Sequence, residues 1–250
     1  MKILGIIPAR FASTRFPGKP LCMIDGKSMI RRVYEQASAC NKLSEVIVAT
    51  DDDRIEKHVN DFGGWAIMTS SLIRSGTERC HEVLKILYDK NHRKFDAVIN
   101  IQGDEPYIHP LQIAQVAEVF EDPHISIATL AKKIASEEEL ANPNVVKVLI
   151  DIHSRAIYFS RLPIPYLRGT EDRDRIMHHT FFKHVGIYGY TPAVLHELTG
   201  LAESSLEKAE SLEQLRWIEN GYSIYVRESE FESISIDTPD DLLKITNSSG

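Results

Sequence analysis

Three cations, two hydroxyl groups and a glycine crowd the stretch Ile7-Pro8-Ala9-Arg10-Phe11-Ala12-Ser13-Thr14-Arg15-Phe16-Pro17-Gly18-Lys19-Pro20-Leu21. Side chains of these types in one loop suit an anion. Arg10 and Arg15 offer planar forks of N–H donors and Lys19 a point charge. Ser13, Thr14 and exposed backbone N–H groups add neutral donors, so the set can wrap a polyphosphate. The spacing is not that of the P-loop, since G-x-x-x-x-G-K-[ST] is absent. A solvated basic loop would carry the same charges. It would not need Pro17 and Pro20 to restrict the backbone around Lys19.

Two carboxylates complement that loop. Val98-Ile99-Asn100-Ile101 reads as a strand, Gln102-Gly103 lets the chain turn, and Asp104 then projects from the strand end. Far along the chain, Ile234-Ser235-Ile236 leads into Asp237. Two hard oxygen ligands opposite a polyphosphate loop are what Mg²⁺ takes from a protein, with phosphates and waters completing its shell. Asp104 read as a turn residue and Asp237 as part of the helix entry Thr238-Pro239-Asp240-Asp241 are the structural alternatives. Arg74-Ser75-Gly76-Thr77-Glu78-Arg79 at a helix start can face a nucleoside or simply cap the helix. In the second half, Arg161 can clamp a carboxylate with two parallel bonds, while His184, Tyr188, Glu213 and Gln214 can bond hydroxyls, and Gln102 lies two residues from Asp104. Tyr188 as core, Glu213 as an exposed helix charge and His184 as a structural residue are the alternatives.

The elements that must position these groups are legible from periodicity. Strands at about Ile3–Ile7, Glu45–Ala49, Trp65–Met68 and Ala97–Ile101 alternate with helices at about Lys27–Cys40, Asp53–Phe62 and Gly76–Asp89. That alternation predicts right-handed βαβ crossovers and a mostly parallel sheet, with ligands at the carboxyl ends of the strands. Further strands are expected at Ser126–Lys133, Val145–Ile150, Ala156–Ser160, Lys183–Thr191, Ser223–Glu228 and Ser233–Ile236. The fold class is therefore α/β: a mixed central sheet flanked by helices, Rossmann-like, with a small strand-rich lobe. One domain is expected over 1–250, in three intimately joined parts: 1–125, 126–235, and 236–250 returning to the core.

Composition narrows the partners. A net charge of −7 argues against general nucleic-acid binding, since the positive charge is local. No apolar run has the length of a membrane span or the form of a signal peptide, so a cytoplasmic protein with no membrane partner is expected. Cys22, Cys40 and Cys80 are odd in number and widely spaced, which suits buried thiols better than disulfides or zinc.

The loop P-A-R-x-A-S-T-R-x-P-G-K-P-L resembles the signature of the 3-deoxy-manno-octulosonate (Kdo) cytidylyltransferases. Other blocks resemble that family in the same order: Ala49-Thr50-Asp51-Asp52, Ser75-Gly76-Thr77-Glu78-Arg79, Asn100-Ile101-Gln102-Gly103-Asp104-Glu105-Pro106 and Tyr158-Phe159-Ser160-Arg161. So do Lys183-His184-Val185-Gly186-Ile187-Tyr188-Gly189-Tyr190, Leu212-Glu213-Gln214-Leu215-Arg216 and Ile236-Asp237-Thr238-Pro239-Asp240-Asp241-Leu242. The resemblance implies transfer of CMP from CTP to Kdo with release of pyrophosphate, for lipopolysaccharide biosynthesis. A cytidylyltransferase for a related acidic or 8-amino sugar, and a non-catalytic nucleotide-sugar binder, are the alternatives.

It further implies Asp104 and Asp237 as Mg²⁺ ligands, and Arg15 and Lys19 at the β- and γ-phosphates. Ala9, Arg10, Ser13, Arg74, Ser75 and Gly76 would surround the nucleotide, the small Ala9 and Gly76 suiting a pyrimidine. Gln102, Arg161, His184, Tyr188, Glu213 and Gln214 would form the Kdo set, in a homodimer. Alignment and charge stabilisation would carry the chemistry, with no covalent nucleophile.

Overall fold

The computed structural model describes residues 1–12, 16–232 and 234–242. In chain order its elements are β1 (Ile3–Ala9), β2 (Met23–Ile24), β3 (Lys27–Ser28), α1 (Met29–Ser38), β4 (Glu45–Thr50), α2 (Asp53–Asp61), β5 (Ala66–Met68), α3 (Gly76–Asn91), β6 (Ala97–Asn100) and α4 (Pro110–Val119). There follow β7 (Ile127–Lys133), α5 (Glu137–Ala141), β8 (Lys147–Ile150), β9 (Ala156–Ser160), α6 (Arg175–His178), β10 (Phe182–Tyr190), α7 (Pro192–Thr199), α8 (Ser205–Glu210), α9 (Gln214–Glu219) and β11 (Tyr225–Glu228). Nine strands form one sheet in the order β11-β7-β10-β6-β1-β4-β5, with β8 and β9 extending it from β10. β6, β1, β4 and β5 run parallel, and β10 lies antiparallel between β6 and β7.

The sheet is covered on both faces, which is why its central strands read as apolar runs rather than alternations. In β1, Ile3 and Ile7 face one layer while Leu4 and Ile6 face the other, as a two-residue period requires. The first layer takes apolar side chains from α1, α2 and α4, including Val33, Ile55 and Ile113. The second takes them from α3, α7 and α9, including Val83, Leu195 and Trp217. Complete burial of an aliphatic side chain contributes about 1.5–3 kcal/mol, so these paired layers hold the strand ends that carry the site.

Most expected elements lie within two residues of their observed bounds. One expectation is corrected. Residues 234–236 are not in a strand, because the Ile236 N–H bonds the Asp104 carbonyl at 2.9 Å instead of a sheet edge. The other strands expected in the second half are present as β7–β11; short helices alternate with them, and one of these, α9, carries Trp217 into the core. The three cysteines are free thiols, with Cys40 and Cys80 buried. Among the described residues no helix is long and apolar enough to cross a membrane.

Candidate active site

The loop after β1 is shaped by Gly18, whose φ of 72° lies in the left-handed region that favours glycine. Its N–H bonds the Phe11 carbonyl at 3.0 Å, and a 3₁₀ turn over Lys19–Leu21 follows, with Pro20 inside it. That turn sends Lys19 toward the end of β6. Gly103 is needed there, because a Cβ would stand 2.6 Å from the Pro8 carbonyl oxygen. The two strand ends therefore approach closely enough for Lys19 Nζ to lie 2.7 Å from Asp104 Oδ2. The same ammonium is 3.3 Å from Asp237 Oδ1.

Asp237 is held in place by its neighbours. The Ile236-to-Asp104 backbone bond ties the two segments together, while Thr238 and Asp241 cap the turn that follows: Asp241 Oδ2 accepts from the Asp237 and Thr238 N–H groups. The capping work thus falls to Thr238 and Asp241, and the Asp237 carboxylate turns toward Lys19. Two carboxylates converge on the space of one cation. Among the described residues no group of three or more His, Cys, Asp or Glu side chains forms a metal cage. Mg²⁺ does not require one, since one or two carboxylates suffice when phosphates and water supply the remaining oxygens. The residues fit that ion.

A cavity of about 520 Å³ opens over this cluster, lined by Pro8, Ala9, Arg10, Lys19, Arg74, Ser75, Gly76, Arg79, Gln102 and Asp104 among others. Arg10 reaches the Arg74 carbonyl at 3.5 Å and Asp51 at 3.6 Å. Asp51 also accepts from the fully buried Arg79 at 3.0 Å, so one carboxylate anchors both guanidinium groups. Sequence reasoning missed Arg79 as a lining residue, although its motif was visible. Ser75 closes a reciprocal capping box with Glu78, and the same residue lines the cavity. Ser13 and Arg15 of the expected phosphate set lie outside the described residues.

A second cavity, of about 350 Å³, shares Ser75, Gly76 and Gln102 with the first. Its other walls include Thr77, Asn100, His184, Tyr188, Tyr190, Glu213, Gln214 and Trp217. Five of the six residues expected for the sugar therefore meet in one place. A bulge in β10 between Val185 and Tyr188 aims His184 and Tyr188 inward, and Gln102 Nε2 braces it by donating to the Gly186 carbonyl at 2.8 Å. Thr129 Oγ1 stands 2.7 Å from the Ile187 carbonyl and 3.0 Å from His184 Nε2. Donating to the carbonyl, it accepts from His184, which assigns the Nε2–H tautomer and leaves Nδ1 as an acceptor. Desolvation between Phe159 and Tyr188 pushes the imidazole down to about 3, so it is neutral at physiological pH. Burial also raises Glu213 above the ordinary glutamate value.

Arg161 is the expected sugar residue that the structure does not bring to this cavity. Its guanidinium donates to the carbonyls of Glu210 at 2.7 Å, Pro143 at 3.1 Å and Ser211 at 3.4 Å. A clamp on three carbonyls orients the fork away from a free two-point grip. Tyr190 and Trp217, by contrast, were not anticipated, because in sequence they are indistinguishable from apolar core, and Asn100 was read only as part of its strand.

The chain matches the cytidylyltransferase family over residues 4–231. It is 52% identical to the 3-deoxy-manno-octulosonate cytidylyltransferase of Cytophaga hutchinsonii over 250 residues, covering 100% of this chain and 98% of that one. Its fold superposes on CMP:2-keto-3-deoxy-manno-octonic acid synthetase complexed with CTP with a TM-score of 0.88 at 41% identity, covering 100% and 98% of the two chains. The 4-diphosphocytidyl-2C-methyl-D-erythritol synthase of Anaerococcus prevotii, 14% identical with a TM-score of 0.62 over 99% and 98% of the chains, shares the fold.

Proposed function

This chain belongs to the cytidylyltransferase family, and we infer that it transfers CMP from CTP to Kdo, giving CMP-Kdo and pyrophosphate and so activating Kdo for lipopolysaccharide biosynthesis. The observation that carries the reading is the pair of adjoining cavities with Ser75, Gly76 and Gln102 on both walls. CTP takes the cavity beside Lys19, and Kdo takes the one beside His184 and Glu213. The α-phosphate and the anomeric hydroxyl then meet at the shared wall. Relatives named for Kdo favour this sugar over an amino-substituted one.

The residues divide the work of an in-line displacement. Arg10 and Arg74 flank the nucleotide, and Lys19 exchanges its two carboxylate partners for the β- and γ-phosphates of the leaving group. Neutral His184, with Nδ1 as acceptor, and Glu213 orient the sugar hydroxyls without a covalent step. Mg²⁺, held by Asp104 and Asp237, would supply polarisation of the α-phosphate and neutralisation of charge developing in the transition state. The direct test is to incubate the protein with CTP, Mg²⁺ and Kdo and follow pyrophosphate. Release that depends on Kdo supports the reading, and none with active-site occupancy by CTP would overturn it.

Arg161 enters this reading through the chain it holds. By gripping the Glu210 and Ser211 carbonyls it sets the segment Leu212-Glu213-Gln214 that lines the sugar cavity. Arg161→Lys loses the planar fork and should raise the KM for Kdo about tenfold while the KM for CTP stays constant. Discrimination between Kdo and its neutral carboxamide should be unchanged. If that discrimination shrinks, Arg161 grips the sugar carboxylate directly.

A homodimer in the cytoplasm belongs to the same reading. The 152–177 segment exposes Ile152, Leu162, Tyr166 and Met177, apolar surface that a second copy would cover. Sedimentation at micromolar concentration should give twice the 28.3 kDa chain mass. A monomer at that concentration removes the proposal.

A further inference from the structure

The sugar cavity has one carboxylate on its wall, and that carboxylate is tied to the opposite wall. Thr77 Oγ1 donates to Glu213 Oε2 at 3.0 Å, joining the second residue of α3 to the residue just before α9 across 136 positions of sequence. Thr77 is almost wholly buried. Its place is not free to drift, because the Ser75–Glu78 capping box pins the first turn of α3. Gly76 keeps that turn close to β6, where a Cβ would stand 3.1 Å from Asn100 Nδ2. A carboxylate rotated by one bond would present a different oxygen to the ligand. Thr77 engages Oε2 and the Ser75 side chain also bonds the carboxylate, so hydroxyls of the first turn of α3 set which lone pairs of Glu213 face a sugar hydroxyl.

We propose that Thr77 is a positioning residue for sugar recognition: its hydroxyl fixes the orientation of Glu213, and it couples the Arg74-Ser75-Gly76 wall of the nucleotide cavity to the sugar cavity. This rests on the assignment of the second cavity to Kdo. The hydroxyl also favours the charged form of Glu213, whose ordinary value is raised chiefly by desolvation and lowered by Thr77, by Arg216 and by Ser75. Glu207 opposes ionisation from α8, Cys80 of α3 and Tyr188 and Tyr190 of β10 also feel the charge, and His184, Arg74, Glu78 and Glu203 line the cavities that Glu213 faces. Loss of the Thr77 donor therefore moves the ionisation of Glu213 to still higher pH. The ionised form, the better acceptor, is then lost at a pH where the native protein keeps it.

The experiment compares Thr77→Val and Thr77→Ser with the native protein, using Kdo and CTP as varied substrates across pH. Thr77→Val should raise the KM for Kdo about tenfold or more, leave the KM for CTP within about twofold, and shift the acid limb of kcat/KM for Kdo upward. Thr77→Ser, which restores the donor, should recover both quantities. Placing Thr77→Val on a Glu213→Gln background should produce no further shift of the acid limb, since the titrating group is gone. An unchanged Kdo KM and acid limb in Thr77→Val would overturn the assignment of Thr77. So would equal losses for both substrates that serine does not rescue. If Thr77→Val fails to fold, Thr77→Ala is read in its place with the same two outcomes. Native protein that turns over CTP without Kdo dependence would instead overturn the assignment of the cavity.

Discussion

Asp104→Asn lowers kcat at saturating Mg²⁺ by about 100-fold or more, the scale expected when a preorganised charge at the reacting phosphate is lost. The side chain keeps its volume, and the backbone carbonyl that receives the Ile236 N–H is untouched, so Asp237 stays in place. Folding is therefore preserved. Asp104 is partly exposed and pairs with Lys19 at the mouth of a cavity, a setting in which an ion pair adds little to stability. The melting temperature should stay within a few degrees of the native value. A well-folded Asp104→Asn protein that turns over at the native rate would remove Asp104 from the reaction and leave its pairing with Lys19 as a purely structural contact.

Lys19→Met should be nearly as damaging, and selectively so. The ammonium sits between Asp104 and Asp237, at 2.7 and 3.3 Å, on the wall of the first cavity. In the proposed reading it serves the leaving pyrophosphate, so its loss should reduce kcat/KM for CTP by about 100-fold and change the affinity for free CMP by no more than about threefold. Equal losses for CTP and CMP would mean that Lys19 touches the α-phosphate or merely supports the loop. The same substitution tests the cluster without turnover. Removing the shared ammonium takes one positive charge from beside both carboxylates, so Mn²⁺ should bind the nucleotide-free variant more tightly than the native protein. Unchanged Mn²⁺ affinity would show that the aspartates do not act together.

Much of the site was legible in the chain because its parts are local. The approach of Lys19 to the end of β6 follows from Gly18 and the flanking prolines, and the start of α3 follows from Ser75 and Glu78. Both are settled within a few residues by backbone sterics and capping. The apolar runs of β1, β4 and β6 likewise announce strands buried on both faces. Strand periodicity could place Asp104 just beyond the end of an apolar run.

Tertiary structure decided how those ends meet, because a side chain's partner is set by register and packing between segments far apart in sequence. Only the fold could show that Ile236 bonds the Asp104 carbonyl and lies in no strand, and that a bulge in β10 turns His184 and Tyr188 toward Gln102. The same holds for Arg161 and Thr77. Residue type allows an arginine to clamp a carboxylate and a threonine to cap a helix. The Glu210 and Ser211 carbonyls at Arg161, and Glu213 at Thr77, are brought there by the α8–α9 segment, and the Pro143 carbonyl by the turn before β8.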